Sequence, residues 1–388
     1  MTRDAYEPRE MLERLVAFDT TSRGSNLALI DFVTDYLKAH GLTPKQIPNP
    51  EGTKANLFVT LGPDKPGGII LSGHTDVVPV DDQEWDTDPF TAAEKDGKLY
   101  GRGTADMKAF SAVALALVPE FLRRGLKTPI HIALSYDEEV GCLGVRPMIA
   151  DIARTVPKPK LAIIGEPTEM KVVNAHKGIR AFRTTVTGRE AHSSRTDKGV
   201  NAVMVAAELI VHLGRLAEEM RERGDPSGRF DPPYTTVQAA TIQGGTALNI
   251  LAHHCAFQWE FRYLPGTSER DVFDRFETFA RETVLPRLRK IAPEADIVTT
   301  AGAHVLPLVA RDDCPAEALA KQLTGQNHAE AVAYGTEAGL FQEAGIPSVV
   351  CGPGNILQAH KPNEFIELSQ IDACTAFMRR LIDHVAAA

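Results

Sequence analysis

The sequence predicts an α/β protein: a mixed sheet covered by helices on both faces, with an α+β domain inserted into it. Three observations predict this. Short apolar runs bounded by glycine or charged residues alternate with helical patterns in the first part of the chain, the character changes between about Arg180 and Val305, and strand features resume near Tyr334–His360. At 388 residues the chain exceeds the usual single-core range, so two domains are expected, one formed by residues 1–179 with 306–388 and the other by 180–305.

The helical stretch Pro8–His40 reads as two pieces broken near Thr20–Gly24, and Met107–Arg124 and Ser369–Val385 read as further helices. Buried strands are expected at Leu57–Leu61, Ile69–Leu71, Ile130–Ser135, Leu161–Ile164 and Ser348–Cys351. Strands alternating with helices imply a sheet with both faces covered. The inserted segment reads as a strand (Arg180–Thr187), an amphipathic helix (Val200–Arg223), strands around Thr235–Ile242 and Cys255–Tyr263, a helix (Glu269–Lys290) and a strand (Ala295–Thr300).

Composition narrows the partners. Lys plus Arg number 42 against 51 Asp plus Glu, and no basic tract of five or more occurs, which speaks against nucleic acid. The five cysteines are scattered and odd in number, unlike a secreted disulfide framework. The N-terminal MTRDAYEPREMLERL lacks the apolar stretch of a secretory signal, and Ala109–Val118, ended by Pro119, is too short for a membrane span. A cytoplasmic protein acting on a small molecule is expected.

The chemistry gathers at strand ends. His74, in LSGHTD, follows the run Ile69–Leu71, where open α/β sheets bind ligands. Alone it would read as a structural histidine; its neighbour Asp76 suits a carboxylate that fixes a ligand imidazole's tautomer. Asp106, in YGRGTADMK, precedes an apolar helix and alone would read as an N-cap. Glu138 and Glu139 follow Ile130–Ser135 in SYDEEVG, where crowded like charges call for a cation or raised pKa values. Glu166 follows Leu161–Ile164, and His360 follows Ser348–Cys351 and the turn-like GPGN.

His74, Asp106, Glu139, Glu166 and His360 thus all fall on what should be one edge of the sheet. Two imidazoles and three carboxylates, without thiolates, suit two divalent ions such as Zn²⁺ or Co²⁺ sharing one bridging carboxylate. Such a pair lowers the pKa of a water and polarises a carbonyl. Glu138 adjoins a ligand without being needed as one, which makes it the natural general base for that water and acid for the leaving amine. Cys142 has no evident histidine partner and reads as packing.

The segments GHTDVVPV, WDTDPF, LYGRGTADMK, DEEVG, IGEPT and AHKPNEF resemble, in order and spacing, the aminoacylase and carboxypeptidase-like family of di-zinc peptidases over essentially the whole chain. The resemblance implies a catalytic domain with an inserted lid or dimerisation domain. It implies one zinc held by His74 and Glu166, the other by Glu139 and His360, Asp106 bridging, Glu138 as acid/base and Asp76 orienting His74. It also implies a cis peptide at Asp106–Met107.

Within that family HKG, GREAHSS, GVNA, PPYTT and GGTALNI are most similar to the branch that removes the acetyl group from N2-acetyl-L-ornithine. His192, in AHSS, matches the position that reaches from one subunit's lid into the other's active site to hold the oxyanion, which implies a homodimer through the lid. Asn249 is an additional candidate contact. Glu337, in YGTEAG, is a candidate partner for the ornithine ammonium, its alternative being a solvated surface residue. Arg262, in FRYLPG, is a candidate partner for the substrate carboxylate, its alternative a salt bridge inside the lid sheet. Sister amidases acting on N-acetylcitrulline, N-succinyl-diaminopimelate or other acyl-amino acids are the competing activities. A catalytically dead binding protein is disfavoured, because all five ligands and Glu138 are present.

Overall fold

The structure, a computed structural model, describes residues 5–387; the first four residues of the charged N-terminal stretch lie outside them. It divides into two compact units. The first comprises the chain up to Ala175, Leu308–Glu330 and the residues from Thr336 onward; the second comprises His176–Pro307 and Ala331–Gly335. The short return of Ala331–Gly335 to the second unit is not visible in the sequence pattern.

The first unit is built on a mixed sheet in which Lys45–Pro48, Ala55–Leu61, Ile130–Ser135, Ile69–His74, Leu161–Pro167 and Ser348–Gly352 lie side by side in that order. Ile69–His74 runs parallel to Ile130–Ser135 and to Leu161–Pro167, which in turn runs parallel to Ser348–Gly352. These four strands are buried along their whole length, which is why they read as unbroken apolar runs rather than alternating ones. Alternate residues such as Leu71, Ile132, Leu134, Ile163 and Val349 join one core with helices Pro8–Val16, Leu27–Ala39, Ala109–Ala116, Pro315–Thr324 and Leu368–Ala387. The intervening residues, Ile70, Ala162, Ile164 and Val350 among them, are buried too, on the face where Val145–Thr155 and Ala338–Glu343 lie.

The expected break near Thr20–Gly24 falls between Pro8–Val16 and Leu27–Ala39. The single helix expected over Met107–Arg124 is instead the turn Thr104–Lys108 followed by Ala109–Ala116 and Val118–Arg123, the last with Pro119 in its first turn. Proline cannot donate the backbone bond that a continuous helix requires. A three-stranded sheet in the order Phe365–Glu367, Lys98–Tyr100, Ala93–Lys95 has strands too short for a sequence pattern to reveal.

The second unit is a four-stranded antiparallel sheet in the order Thr236–Gly244, His254–Tyr263, Gly178–Thr187, Asp296–Val305. Cys255, Phe257, Trp259 and Phe261 recur every second residue and pack with Leu209, Leu213 and Leu216 of helix Ala202–Arg223 and with Phe276. Helix Ala202–Arg223 starts where the Asn201 side chain accepts from the backbone N–H groups of Val203 and Met204, an N-cap that satisfies otherwise orphaned donors. The buried Trp259 indole donates to Thr184 Oγ1 at 2.9 Å, so its polar atom carries no desolvation penalty. Among the described residues no helix is long and apolar enough to cross a membrane.

One close approach fixes the sheet against its covering helix beside the strand end that carries Glu166. A Cβ on Gly165 would sit 1.9 Å from Phe110 Cγ, and Phe110 is itself buried. Gly165→Ala is therefore expected to lower stability by about 1–3 kcal/mol through overpacking. Thermal unfolding measures this; an unchanged midpoint would contradict the packing described.

Candidate functional site

The parallel strands end side by side, and loops leaving the C-terminal ends of adjacent parallel strands open on one side of a sheet. That topology brings sequence-distant residues together. His74 is the last residue of its strand and pairs in register with Ser135, Glu138 and Glu139 follow Ser135, Glu166 lies two residues beyond the last position at which its strand pairs with Ile69–His74, and His360 follows Ser348–Gly352. The sequence places His74 and Glu166 after their strands, whereas both lie within them: the ladder continues past the last apolar residue.

Asp106 enters from the turn before Ala109–Ala116. Its backbone, at φ −119° and ψ 95°, is extended, and it does not cap the helix, whose N-cap is Lys108. The Asp106–Met107 peptide is cis, as the family resemblance implies.

Asp106 stands between the two imidazoles. Its Oδ1 lies 3.2 Å from His74 Nε2 and its Oδ2 lies 3.3 Å from His360 Nε2. Glu166 Oε1 approaches His74 Nε2 at 3.8 Å, and Glu139 Oε2 approaches His360 Nε2 at 3.1 Å. The donor atoms of His74, Asp106 and Glu139 lie within 4.8 Å of one another, as do those of His74, Glu138 and Glu166. Glu138 is thus in the same cluster, on the His74 side.

The electrostatics state what the cluster lacks. Burial pushes the carboxyls of Glu138 and Glu166 well above their ordinary range and Glu139 to about 7, with neighbouring carboxylates adding to the rise. Asp106 is shifted down: burial opposes its charge, but the two imidazoles outweigh it. His360 is raised to about 10 by its bonds to Asp106 and Glu139. Burial disfavours a charged His74, yet Asp106, Glu166 and Glu138 together raise it well above its usual value. The protein alone thus draws protons onto both imidazoles to balance buried negative charge, the position that divalent cations fill. His74 Nδ1 lies 2.9 Å from the Asp76 carbonyl oxygen. A carbonyl can only accept, so Nδ1 carries a proton and Nε2 is left to face the carboxylates.

That contact corrects one expectation. His74 is oriented by the backbone oxygen of Asp76, whereas the Asp76 carboxylate is 3.6 Å from Nδ1. The carboxylate instead accepts from Ser22 Oγ at 2.7 Å and from the amides of Glu138 and Glu139 at 3.1 and 3.3 Å. It holds the acidic loop rather than the imidazole. Lys54, ion-paired with Asp137, also donates to the Ser22 carbonyl and anchors the same loop.

Glu337 departs further from expectation. It is 1% exposed, and its carboxylate accepts from Ser135 Oγ and, at 3.3 Å, from Ser72 Oγ. Burial raises it to about 7. It is neither a surface residue nor an open carboxylate that a substrate ammonium reaches; a buried carboxylate keeps hydrogen-bond donors, and here two strand serines supply them. Cys142 is buried and donates to Glu138 Oε1 at 3.3 Å, with burial holding its thiol well above the ordinary range, so it is no thiolate nucleophile.

The remaining candidates lie in the second unit. Arg262 Nε sits 3.3 Å from Glu260 Oε1 on the same strand, so one donor of the guanidinium is engaged within that sheet. Asn249 is exposed and its carbonyl accepts from the Ser193 amide at 3.0 Å. His192 is exposed, and its Nδ1 accepts from the Ser194 amide at 3.2 Å. An amide can only donate, so the neutral ring carries its proton on Nε2 and presents a donor.

Sequence reasoning missed Ser22, Ser72 and Ser135, whose roles depend on which strands become neighbours. It also passed over Glu364 within AHKPNEF and Arg102 within LYGRG, both 1% exposed; Arg102 between two glycines was the available signal, and Glu364, in a motif already holding His360, Lys361 and Asn363, gave none.

Residues 70–384 match the model of the peptidase family M20/M25/M40. The chain is 37% identical to the acetylornithine deacetylase of Proteus mirabilis, over 95% of this chain and 92% of that protein. It is 34% identical to that of Myxococcus xanthus, over 97% of each. An M20 family metallo-carboxypeptidase from Sulfolobus solfataricus shares the fold with a TM-score of 0.76 at 17% identity, covering 99% of this chain and 100% of that one. A Bacillus subtilis M20 peptidase described as dinuclear metal binding gives 0.64 at 14% identity, covering 98% of each.

Adding Zn²⁺ or Co²⁺ to metal-depleted protein is expected to raise its unfolding temperature, by about 2.7 kcal/mol of stability at an ion concentration ~100 times Kd. Calorimetry with and without a chelator checks this; coincident transitions would contradict a cation site.

Proposed function

The chain belongs to the peptidase family M20/M25/M40, and from that membership we propose that this hydrolase removes the acetyl group from N2-acetyl-L-ornithine, releasing L-ornithine and acetate. The observation that carries the chemistry is Asp106 presenting one oxygen to each of two imidazoles with Glu138 alongside. The substrate rests on the relatives named acetylornithine deacetylase, which align over nearly the whole chain. An activity of this kind belongs to arginine biosynthesis, and a cytoplasmic location agrees with five cysteines that are all free thiols.

The donor set fits two divalent ions, Zn²⁺ or Co²⁺: imidazole nitrogen and carboxylate oxygen, with no thiolate. His74 and Glu166 would hold one, His360 and Glu139 the other, and Asp106 would be shared. When bound, the ions supply Lewis acidity to the amide carbonyl and acidify a water. Glu138 takes the proton of the attacking water and returns it to the departing α-amine, and burial, which raises its carboxyl well above the ordinary range, strengthens it as the base. Asp76 keeps Glu138 and Glu139 in place through their amides. The Nε2–H of His192 suits the oxyanion role that the family resemblance gives it.

A homodimer through the second unit accounts best for an unprotected surface there. Thr236–Gly244 is an edge strand, exposed almost throughout, with Ile242 about half exposed. Met204 and Val211, on the helix packed beside it, are also exposed. Exposed edges of this kind invite strand pairing with a second copy.

Glu138→Gln is expected to keep both ions by elemental analysis while kcat falls by about 10²–10⁴; undiminished turnover would sink the mechanism. On a panel of N-acetylornithine, N-acetylcitrulline and N-succinyl-diaminopimelate, kcat/KM is expected to favour the first, and a clear preference for either other substrate would reassign the activity. Mixing Glu138→Gln with His192→Ala subunits is expected to restore activity that neither has alone. Mixtures as inactive as their components would remove His192 from a shared site.

A further inference from the structure

We propose that Glu364 is a positioning residue for this reaction: its buried carboxylate fixes the Asp106 loop against the His360 loop and so sets the geometry of the ion between Asp106 and His360. The proposal rests on the two-metal reading above.

Glu364 accepts four hydrogen bonds, two on each oxygen. Its Oε2 takes Arg102 Nη1 at 2.8 Å and the Gly103 amide at 3.0 Å. Its Oε1 takes the Ala105 amide at 2.8 Å and the Asp106 amide at 3.1 Å. The loop that ends in Asp106 is therefore folded around one carboxylate. An ionised carboxylate accepts on both oxygens and donates on neither, and no other side chain of similar size can receive this set. Three of the four donors are backbone amides, so the position of the Asp106 backbone is written directly into the contact.

Glu364 also lies four residues beyond His360, and the span between is tied to the same cluster. Arg102 Nη1 donates to the Lys361 carbonyl at 3.2 Å and Nη2 donates to Gln83 Oε1 at 2.6 Å. Gln83 Nε2 then donates to the His360 carbonyl at 3.0 Å. Beyond Glu364 the chain enters a short strand in which Phe365 pairs with Tyr100, just upstream of Arg102. The carboxylate and guanidinium are each 1% exposed, a setting in which hydrogen-bond geometry is rigid and loss of one partner is costly. Asp106 and His360 come from loops more than two hundred residues apart, and this pair joins them. Glu364 acts through both residues rather than on the substrate.

Glu364→Gln keeps the shape but replaces one accepting oxygen with an amide that donates, so two of the four donors face another donor. The test is calorimetric titration of metal-depleted protein with Co²⁺. The parent is expected to take two ions. The variant is expected to bind the first with little change and the second about 10–100-fold more weakly. At fixed low Co²⁺ the kcat of the variant is expected to fall in proportion while KM holds, and to recover as Co²⁺ is raised, a rescue that a general loss of folding would not show. Two ions bound by the variant at parental affinity would overturn the proposal. A parent that takes fewer than two would overturn the two-metal reading, and the proposal with it. If Glu364→Gln does not fold, Gln83→Ala, at a partly buried position, decides: the second ion is expected to bind about threefold or more weakly, and unchanged affinity for both ions would overturn the proposal.

Discussion

Buried negative charge is the constraint on which the rest of the first unit depends. Asp76, Asp106, Glu138, Glu139, Glu166 and Glu337 crowd into one crevice, and isolated carboxylates cannot be taken out of water without compensation. The nearby cations are already engaged: Lys54 pairs with Asp137 and Arg102 with Glu364. Asp76 and Glu337 are answered by hydroxyls and amides. Among the described residues, Asp106, Glu139 and Glu166 are answered by two imidazoles, each of which presents Nε2 to carboxylate oxygens. Placing divalent ions there satisfies the carboxylates and returns the imidazoles to the neutral form in which they act as ligands.

The scaffold serves this by holding each donor on a stiff element. Strand ends fix His74 and Glu166, and the Gly165–Phe110 contact leaves little room for the second of these to shift. The loop residues Glu138 and Glu139 gain the same definition from the Asp76 carboxylate. A metal-assisted hydrolase needs ligand positions held to a fraction of an ångström, and side chains on supported backbone provide that more readily than free loops.

The sequence was informative where burial dominates and silent where pairing does. Ile130–Ser135 is found with the expected bounds because all of its residues are buried, and helix Ala202–Arg223 of the second unit was legible from its amphipathic period. The polar ends of strands, at His74 and Glu166, were not legible, because their membership depends on neighbouring strands rather than on apolarity. The convergence of the five donors could be read from their repeated placement at strand ends. The use of Asp76 through its carbonyl could not, since backbone and side-chain oxygens of one residue are indistinguishable in sequence. Glu337 misled for a related reason: glycine-flanked acids usually sit at the surface, and only the adjacency of Ser72 and Ser135 in the sheet makes a buried position tolerable.

The most direct test of the account is anomalous scattering at the metal edge from crystals grown with Zn²⁺. Two peaks are predicted, one about 2.0–2.2 Å from ligand atoms of His74 and Glu166 and one at the same distance from those of His360 and Glu139, with Asp106 contacting both. A single peak, or ions that leave Asp106 without a metal contact, would contradict it.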